Sequence, residues 1–488
     1  MTPRIVVVGG GLAGLTSALT ASSNPNIAVT LIEKEPKLGG NSKKASSGIS
    51  AVTSSCEDST EDFIQDTLKS GGGLSNPTLV KTLADNSAEA IAFLEESTGL
   101  NLTSNIVQLG GHSKKRTHTD PAGPIGFDLM RSLESKLADS PNVEVITAAK
   151  VSSLLLHDKE HMGGVRGLTY KKLGSVGSDS SSGGEGEGIV EIEADAVILA
   201  SGGFGANAKL LQKYCGEVLS KLPTTNGPWA TGDLLEVSSA AGAALIHCEC
   251  VQVHPTGFVD PGNPESKSKI LAAEKLRGVG GLLFNEAGER FVNELTTRDV
   301  VADAVMRQRN KHAFLVLDDA AAAAFGGAMN FYVGKGLFKK FESVEQVAER
   351  ITGSGGGDRA DSNAVAAAIK SQIEAYNTAA TSGSPDSYGK TAFPQAGFDP
   401  STPNWFVAEI TPVIHYCMGG IAIDNEAHVL NQDGSPIPGL FAAGEVTGGV
   451  HGKNRLGGNS LLECVVFGRR AGQSAVMYTK WSHWAVHH

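Results

Sequence analysis

The sequence predicts an α/β protein built on a Rossmann-like dinucleotide-binding fold, and three features predict it. An apolar run, a glycine-rich turn and a helix-like segment follow one another in RIVVVGGGLAGLTSALTA, residues 4–21. A second apolar strand, AVTLIEK (28–34), ends on Glu33. Two more apolar strands run into glycines, at ADAVILASGGFGAN (194–207) and PGLFAAGEVTGG (438–449). Continuous apolar runs of this length suit strands buried on both faces of a parallel sheet.

Each element carries a reason. Gly9, Gly11 and Gly14 supply the G-x-G-x-x-G spacing. The first permits a tight turn, the second lets backbone approach a pyrophosphate, and the third lets helix and strand pack closely. The unpaired N–H groups of the helix N-terminus then face the phosphates. Glu33 stands at the distance expected of a carboxylate that takes the ribose hydroxyls. A packing turn alone would leave it without a role. The continuation KLGGNSKKASSG (37–48) is a basic, glycine-rich loop, where a nicotinamide domain usually runs into its next helix. Together with the strands at 194–207 and 438–449, it favours FAD over NAD. A long helix is expected from about Gly458.

Composition narrows the class. The 488 residues are 41% apolar and 19% charged, which fits a globular chain with large cores. Glycine makes up about 12% of the chain, above the usual 7% or so, and much of it lies in tight loops. A formal charge of −11 with no basic face argues against nucleic-acid binding. Six cysteines (56, 215, 248, 250, 417, 464) form neither a disulfide framework nor a zinc or iron–sulfur pattern. With no apolar run of 18 residues and no leader before the strand at residue 4, no membrane is expected, and the cytoplasm is the expected compartment. A trimmed leader would allow a mitochondrial or other organellar site. GSVGSDSSSGGEGEG (174–188) reads as a hairpin tip, and GSGGGDRAD (353–361) as a flexible connection.

Taken together, these segments resemble the flavoprotein subunits of the fumarate reductase/succinate dehydrogenase family, most of all the soluble single-chain fumarate reductases of fungal type. The resemblance runs over nearly the whole chain. It implies an FAD domain of residues 1–248 plus 417–488, with an α+β capping domain, 249–416, inserted into it. It also implies a flavin contact set. Besides Gly9, Gly11, Gly14 and Glu33, this comprises Ala13, Lys34, Gly40, Asn41, Ser42, Ser47, Gly48, Val151, Ala200, Ser201, Gly202, Asp233, Gly444, Glu445, Ser460, Leu461 and Leu462. Membrane-complex relatives attach FAD covalently through a histidine in the loop after the second strand. Residues 37–48 contain none, so FAD is expected to be noncovalent.

The inserted region carries further polar landmarks: His254 in QVHPTGF, Glu274 and Arg277 in LAAEKLRG, and Arg298 in NELTTRD. His415 stands in TPVIHYCMGG, and Arg455 follows in GKNRLGGNS. Taken singly, such residues are more often structural or solvated than functional. In the family, the residues matching His254, His415 and Arg455 grip the two carboxylates of a C4 dicarboxylate. Guanidinium–carboxylate pairs supply charge and planar orientation together. Arg298 matches the proton donor to the substrate carbon, with hydride leaving flavin N5, and Glu274 and Arg277 match its proton relay. A metal held by His415 and Cys417 would need ligands that the sequence does not offer in a recognisable pattern. One departure is Ala273, where many relatives carry threonine. The missing hydroxyl is worth roughly 0.5–1.5 kcal/mol if nothing replaces it.

The resemblance therefore implies fumarate reduction to succinate by a monomer. Rival readings are a reductase of another unsaturated acid (urocanate or acrylate type), an aspartate-oxidase-like enzyme, and a flavin-binding redox sensor. Two electrons must arrive for each turnover. No iron–sulfur or C-x-x-C-H pattern is present, and no second G-x-G-x-x-G unit for a nicotinamide. The expected donor is diffusible, a free reduced flavin or a similar small carrier.

Overall fold

The computed structural model describes residues 2–120, 125–157, 164–173, 188–353, 361–394, 397–399 and 401–487. The two low-complexity stretches fall almost wholly outside these, at 174–187 and 354–360.

A six-stranded sheet organises both ends of the chain. Its order is His428–Leu430, Pro436–Ala442, Ala196–Leu199, Arg4–Val8, Ala28–Ile32 and Val143–Ile146. The last five run parallel, and His428–Leu430 pairs antiparallel at one edge. The central Arg4–Val8 strand is buried from Ile5 to Val8, as its unbroken apolar run requires. The first helix, Leu12–Ser22, packs against the C-terminal helix, Asn459–His487. Gly468 and Gly472 make that approach possible: a Cβ at either would stand 2.9 Å or 2.8 Å from the carbonyl oxygens of Ala13 and Ser17. A three-stranded antiparallel sheet, Ala149–Leu156, Val165–Lys172 and Ile189–Glu193, lies beside the main sheet.

Residues 251–417 build a second sheet around one long strand, Trp405–Cys417. It pairs antiparallel with Val251–Phe258, Ala313–Leu317 and Lys339–Phe341, and Leu282–Phe284 joins beyond Ala313–Leu317. Strand alternation divides the apolar side chains between two cores. Ala313, Leu315 and Leu317 join one with Phe406, Ala408 and Ile410, while Phe314 and Val316 join the other with Trp405 and Val407. The chain is thus an α/β protein with an inserted α+β region. Its outgoing and returning strands lie side by side, with Val251 paired to Cys417. That junction brings residues from distant parts of the sequence together.

Candidate active site

The glycine turn is built as the spacing requires. A Cβ on Gly14 would lie 1.8 Å from the Gly9 carbonyl oxygen, and one on Gly9 (φ +116°) 2.3 Å from the Ala200 carbonyl oxygen. Glu33, expected to face a ribose, is engaged with backbone in the structure. Its two carboxylate oxygens accept from the Gly10 N–H (2.7 Å) and the Glu35 N–H (2.8 Å), tying the second strand to the glycine loop. Ser42 Oγ accepts from the Leu12 N–H at 3.0 Å, so the loop after Glu33 caps the first helix.

Two hollows lie along this frame. The smaller is lined by Gly9, Glu33, Lys34, Val151, Ser201, Trp229 and Asp233. Lys34 and Asp233 are paired with each other there (2.7 Å), and Lys150 adds a second contact to Asp233 at 2.8 Å. These pairs outweigh the effect of burial and hold the Asp233 carboxyl down to about 2. The larger is a cavity of about 780 Å³, lined by Asn41–Gly48, Glu445, Ser460 and Leu461 on one side and by Arg298, His415, Tyr416 and Arg455 on another. Not all expected flavin contacts open onto these hollows. Ala13, Ala200 and Leu462 are packed in the core, and Gly444 presses on Ala13 and Cys464. Gly202 has φ +76° and no neighbour within 4 Å of an added Cβ.

The residues fit FAD. The glycine turn leaves no room for side chains, and Ser201 Oγ and Trp229 Nε1 are buried beside the smaller hollow without protein partners. The 41–48 loop opens into a cavity large enough for a planar ring and a small acid.

Arg298, Glu274, Arg277, Arg455 and the two histidines converge although they are up to 201 residues apart in sequence (His254 to Arg455). Arg298 opens the helix Arg298–Met306, an end where the macrodipole disfavours a cation. Two charge-assisted bonds from its Nε (2.7 Å) and Nη2 to Glu274 Oε2 hold it there. Glu274 is buried, which opposes its ionisation, yet the charges of Arg298 and Arg277 together keep its carboxyl below the usual range. Glu274 and Arg277 bracket one short helical turn, with Arg277 Nη2 4.0 Å from Glu274 Oε1. Arg277 is otherwise under-satisfied. Its Nη1 donates to the Glu294 carbonyl, while Nε and Nη2 are buried without hydrogen-bond partners.

Gln252 completes the cluster, and sequence reasoning missed it. Its Oε1 accepts from Arg298 Nη1 (2.6 Å) and from Arg455 Nη2 (3.0 Å), one neutral oxygen spanning two cations. Its Nε2 donates to the Arg455 carbonyl at 2.6 Å. A signal was available: Gln252 stands two residues before His254 on one strand, the spacing that puts two side chains on one face. Arg455 lies over the Tyr416 ring, 4.3 Å from its centroid, and forms no ion pair among the described residues. Burial, reinforced by the charge of Arg298, lowers it to about 10.

The histidine rings lie 5.1 Å apart. Burial, followed by nearby arginine charge, holds both well below the usual imidazole range, so both are neutral at pH 7. His254 Nδ1 accepts from the Thr256 N–H (3.2 Å), which puts the proton on Nε2, and Nε2 is buried without a partner. His254 does not line the cavity, whereas His415 does, its Nδ1 2.7 Å from Thr225 Oγ1. Cys417 is turned away from any shared site with His415: its Sγ accepts from the Phe204 N–H at 3.3 Å. No group of His, Cys, Asp and Glu among the described residues could hold a metal. Ala273 is buried within the apolar core of the inserted region and does not line the cavity. Burial pushes Glu445 up to about 8, so at pH 7 this carboxyl offsets little of the charge of Arg455.

A family model described as an FAD binding domain matches residues 4–461. The chain is 38% identical to the fumarate reductase of Schizosaccharomyces pombe, over 97% of this chain and 89% of the relative. It is also 38% identical to fumarate reductase 1 of Saccharomyces cerevisiae, over 96% and 98%. It belongs to the FAD-dependent fumarate reductase family. Members of this family are flavin oxidoreductases, and this chain is one. The cytochrome-type fumarate reductase of Shewanella frigidimarina is 34% identical over 98% of this chain and 78% of its own length. Among solved structures, an open conformation of a flavocytochrome c3 fumarate reductase superposes with a TM-score of 0.73 at 31% identity, covering 98% of this chain and 78% of that one. No helix among the described residues is long and apolar enough to cross a membrane.

Proposed function

We propose that this chain reduces fumarate to succinate as a monomer carrying noncovalent FAD, with residues 249–416 acting as a cap over a flavin domain of 1–248 and 417–488. One observation carries the reading. Arg298 and Arg455 meet on Gln252 at the wall of the cavity beside His415, and Arg455 has no carboxylate of its own among the described residues. An unpaired cation such as Arg455 in a low-dielectric cavity calls for an anionic ligand, and the relatives are named for a C4 dicarboxylate.

Gly9, Gly11, Gly14, Glu33 and Ser201 hold the dinucleotide end of FAD in this reading, while residues 41–48, Glu445, Ser460 and Leu461 hold the flavin end. Bound FAD supplies the hydride, from N5. Arg455 and His415 orient the substrate carboxylates from the cavity wall, and neutral His254, its ring 5.1 Å from that of His415, stands behind them with an unpartnered Nε2–H. Their positive field stabilises the charge that develops on the acid as its double bond is reduced. Arg298 gives its proton to the other alkene carbon. Glu274, bonded to two of its nitrogens, passes a replacement, and Arg277 refills Glu274. A guanidinium is a poor acid in water, so the step depends on this immediate replacement. Ala273 removes a possible hydroxyl contact but no charge. A diffusible reduced flavin or similar carrier delivers the electrons.

The deciding experiment is an anaerobic steady-state assay with reduced methyl viologen against fumarate, urocanate, acrylate and methacrylate. Fumarate should give the highest kcat/KM, with succinate as product, and a higher value for any other acid would replace this substrate assignment. Acid precipitation should release the yellow cofactor into the supernatant. Colour retained in the pellet would mean a covalent bond.

A further inference from the structure

Buried polar side chains outside the reaction still need a reason, and the stretch LGGHSKKRTHT (109–119) holds two, His112 and Arg116. Its loop joins the short strands Ile106–Val107 and Thr117–His118 and wedges between Glu274 and the segment that follows Arg455. Two glycines allow the close fit. A Cβ on Gly110 would stand 2.9 Å from Glu274 Oε1, and one on Gly111 2.7 Å from Leu456 Cδ2. The Gly110 N–H donates to Glu274 Oε1 at 3.1 Å, the carboxylate oxygen that Arg298 does not use.

His112 anchors the wedge. Its Nε2 lies 2.9 Å from the Gly457 carbonyl oxygen and its Nδ1 3.2 Å from Arg116 Nη1. A carbonyl only accepts and a guanidinium only donates, so the ring's proton is on Nε2. Arg116 is held in turn by Asp58 and Asp66. Burial, followed by the charge of Arg116, lowers the imidazole to about 4 and leaves it neutral at pH 7. At the other end, the Gly457 backbone rests on the relay: a Cβ there would stand 2.8 Å from Glu274 Oε2 and 3.2 Å from Arg298 Nη2. Ser50 Oγ is a second donor to the Gly457 carbonyl, at 2.9 Å. His112 also lines a separate cavity of about 690 Å³, with Leu109, Lys275 and Gly278. With a hollow beside it, the loop is not fixed by packing alone.

We infer that His112 is a positioning residue for proton delivery: anchored by Arg116, it fixes the Gly457 carbonyl and, through that backbone, the Glu274–Arg298 pair. This rests on the proposed reading, in which Arg298 is the proton donor. His112 does not line the cavity that holds Arg298, His415 and Arg455, so it acts through Gly457 and not on the substrate. It neither gives nor takes a proton. Its part is to keep Arg298 and Glu274 at one separation while a proton passes between them.

The test compares wild-type holoenzyme with two variants. His112→Gln keeps an N–H that can reach the Gly457 carbonyl, and His112→Leu keeps most of the volume and loses both bonds. Anaerobic fumarate reduction by reduced methyl viologen is measured in H2O and in D2O. His112→Leu should lower kcat about three- to tenfold, the range for one lost hydrogen bond. Its solvent isotope effect on kcat should rise, because proton delivery becomes the slower step. The KM for fumarate should stay within about twofold, since Arg455 and His415 keep their own contacts to Gln252, Tyr416 and Thr225. His112→Gln should recover most of the lost kcat. Unchanged kcat and isotope effect in His112→Leu would overturn the proposal, and so would a loss that His112→Gln does not restore. A second measurement needs no turnover. Spectra of the 15N-histidine-labelled holoenzyme, with His112 assigned by its absence from His112→Gln, should show Nε2 protonated and unchanged from pH 5 to 8. A His112 signal that titrates in that range would mean the anchor is absent, and would overturn the role even if His112→Leu fails to fold. If wild type reduces no fumarate with viologen, the functional reading fails separately, and the spectra still report on the anchor.

Discussion

One short segment, GERFVNELTTRD, contributes arginines to two buried charge networks that differ in kind. In the first, Arg290 donates to both carboxylate oxygens of Glu294 (2.9 Å each) and to Asp386 (2.9 Å), while Lys390 donates to Glu294 at 2.9 Å. Burial opposes charge on Glu294, but its two cations overcome this and hold its carboxyl at about 2. In the second, eight residues on from Arg290, Arg298 shares Glu274 with Arg277 and shares a neutral oxygen with Arg455. There, Arg277 and Arg455 retain buried N–H groups with no partner. Both networks are buried, but the first sets Arg290 and Lys390 against two carboxylates, Glu294 and Asp386, and the second sets three arginines against Glu274 alone. What separates them is completeness: a closed network stabilises the fold, and an open one awaits a ligand.

The comparison can be broken at several points. The largest effect belongs to Arg298→Ala, which should lower kcat for fumarate by about 10²–10⁴ while FAD stays bound. A variant keeping more than about a tenth of the activity would move proton donation elsewhere. Glu294→Gln should do the reverse, destabilising the protein by about 3–5 kcal/mol because Lys390 loses its carboxylate and Arg290 one of its two. Thermal or urea unfolding reads that loss, and the folded fraction should keep its kcat. Equal effects on kcat in these two variants would erase the distinction between the networks.

His415→Ala and Arg455→Ala act on charges present before reaction. Each should raise the KM for fumarate and the inhibition constant of succinate roughly 10- to 100-fold, the range for a lost charge-assisted bond. Dicarboxylate inhibition unchanged in both variants would instead favour a monocarboxylate substrate.

The smallest effect sharpens the electrostatics. Glu445, raised to about 8, keeps a proton in the folded protein that the unfolded chain releases near its ordinary value of 4.5. The folded state therefore binds more protons across that window, and stability falls as pH rises from about 4.5 to about 8. Glu445→Gln should remove up to one proton from this slope. Melting temperatures measured from pH 5 to 9 that decline in parallel for both proteins would place the titration on another group.

The Rossmann-like half was legible because its signals are local. An unbroken apolar run, a glycine turn and a helix are adjacent in sequence, and each glycine answers to a neighbour that a Cβ would strike. The clamp and relay residues were legible only through resemblance, since a lone arginine or histidine has a bland reading. Gln252 escaped notice because its part depends on two arginines 46 and 203 residues away. Glu33 was read for a ribose alone because its bonds to Gly10 and Glu35 appear only when the loop folds back.

By itself, then, the sequence determined the strand–turn–helix core and the choice of FAD, since backbone sterics and side-chain periodicity act over a few residues. It also listed the ionisable groups. Which of those groups became a structural knot and which an open site was decided by tertiary structure alone. Pairing Val251 with Cys417 brings strand, helix start and C-terminal loop to one point, and the partners a buried charge finds there cannot be read from its neighbours in the chain. Arg290 met two carboxylates and was closed, whereas Arg298 met one carboxylate and a neutral amide, and Arg455 met the same amide and a cavity.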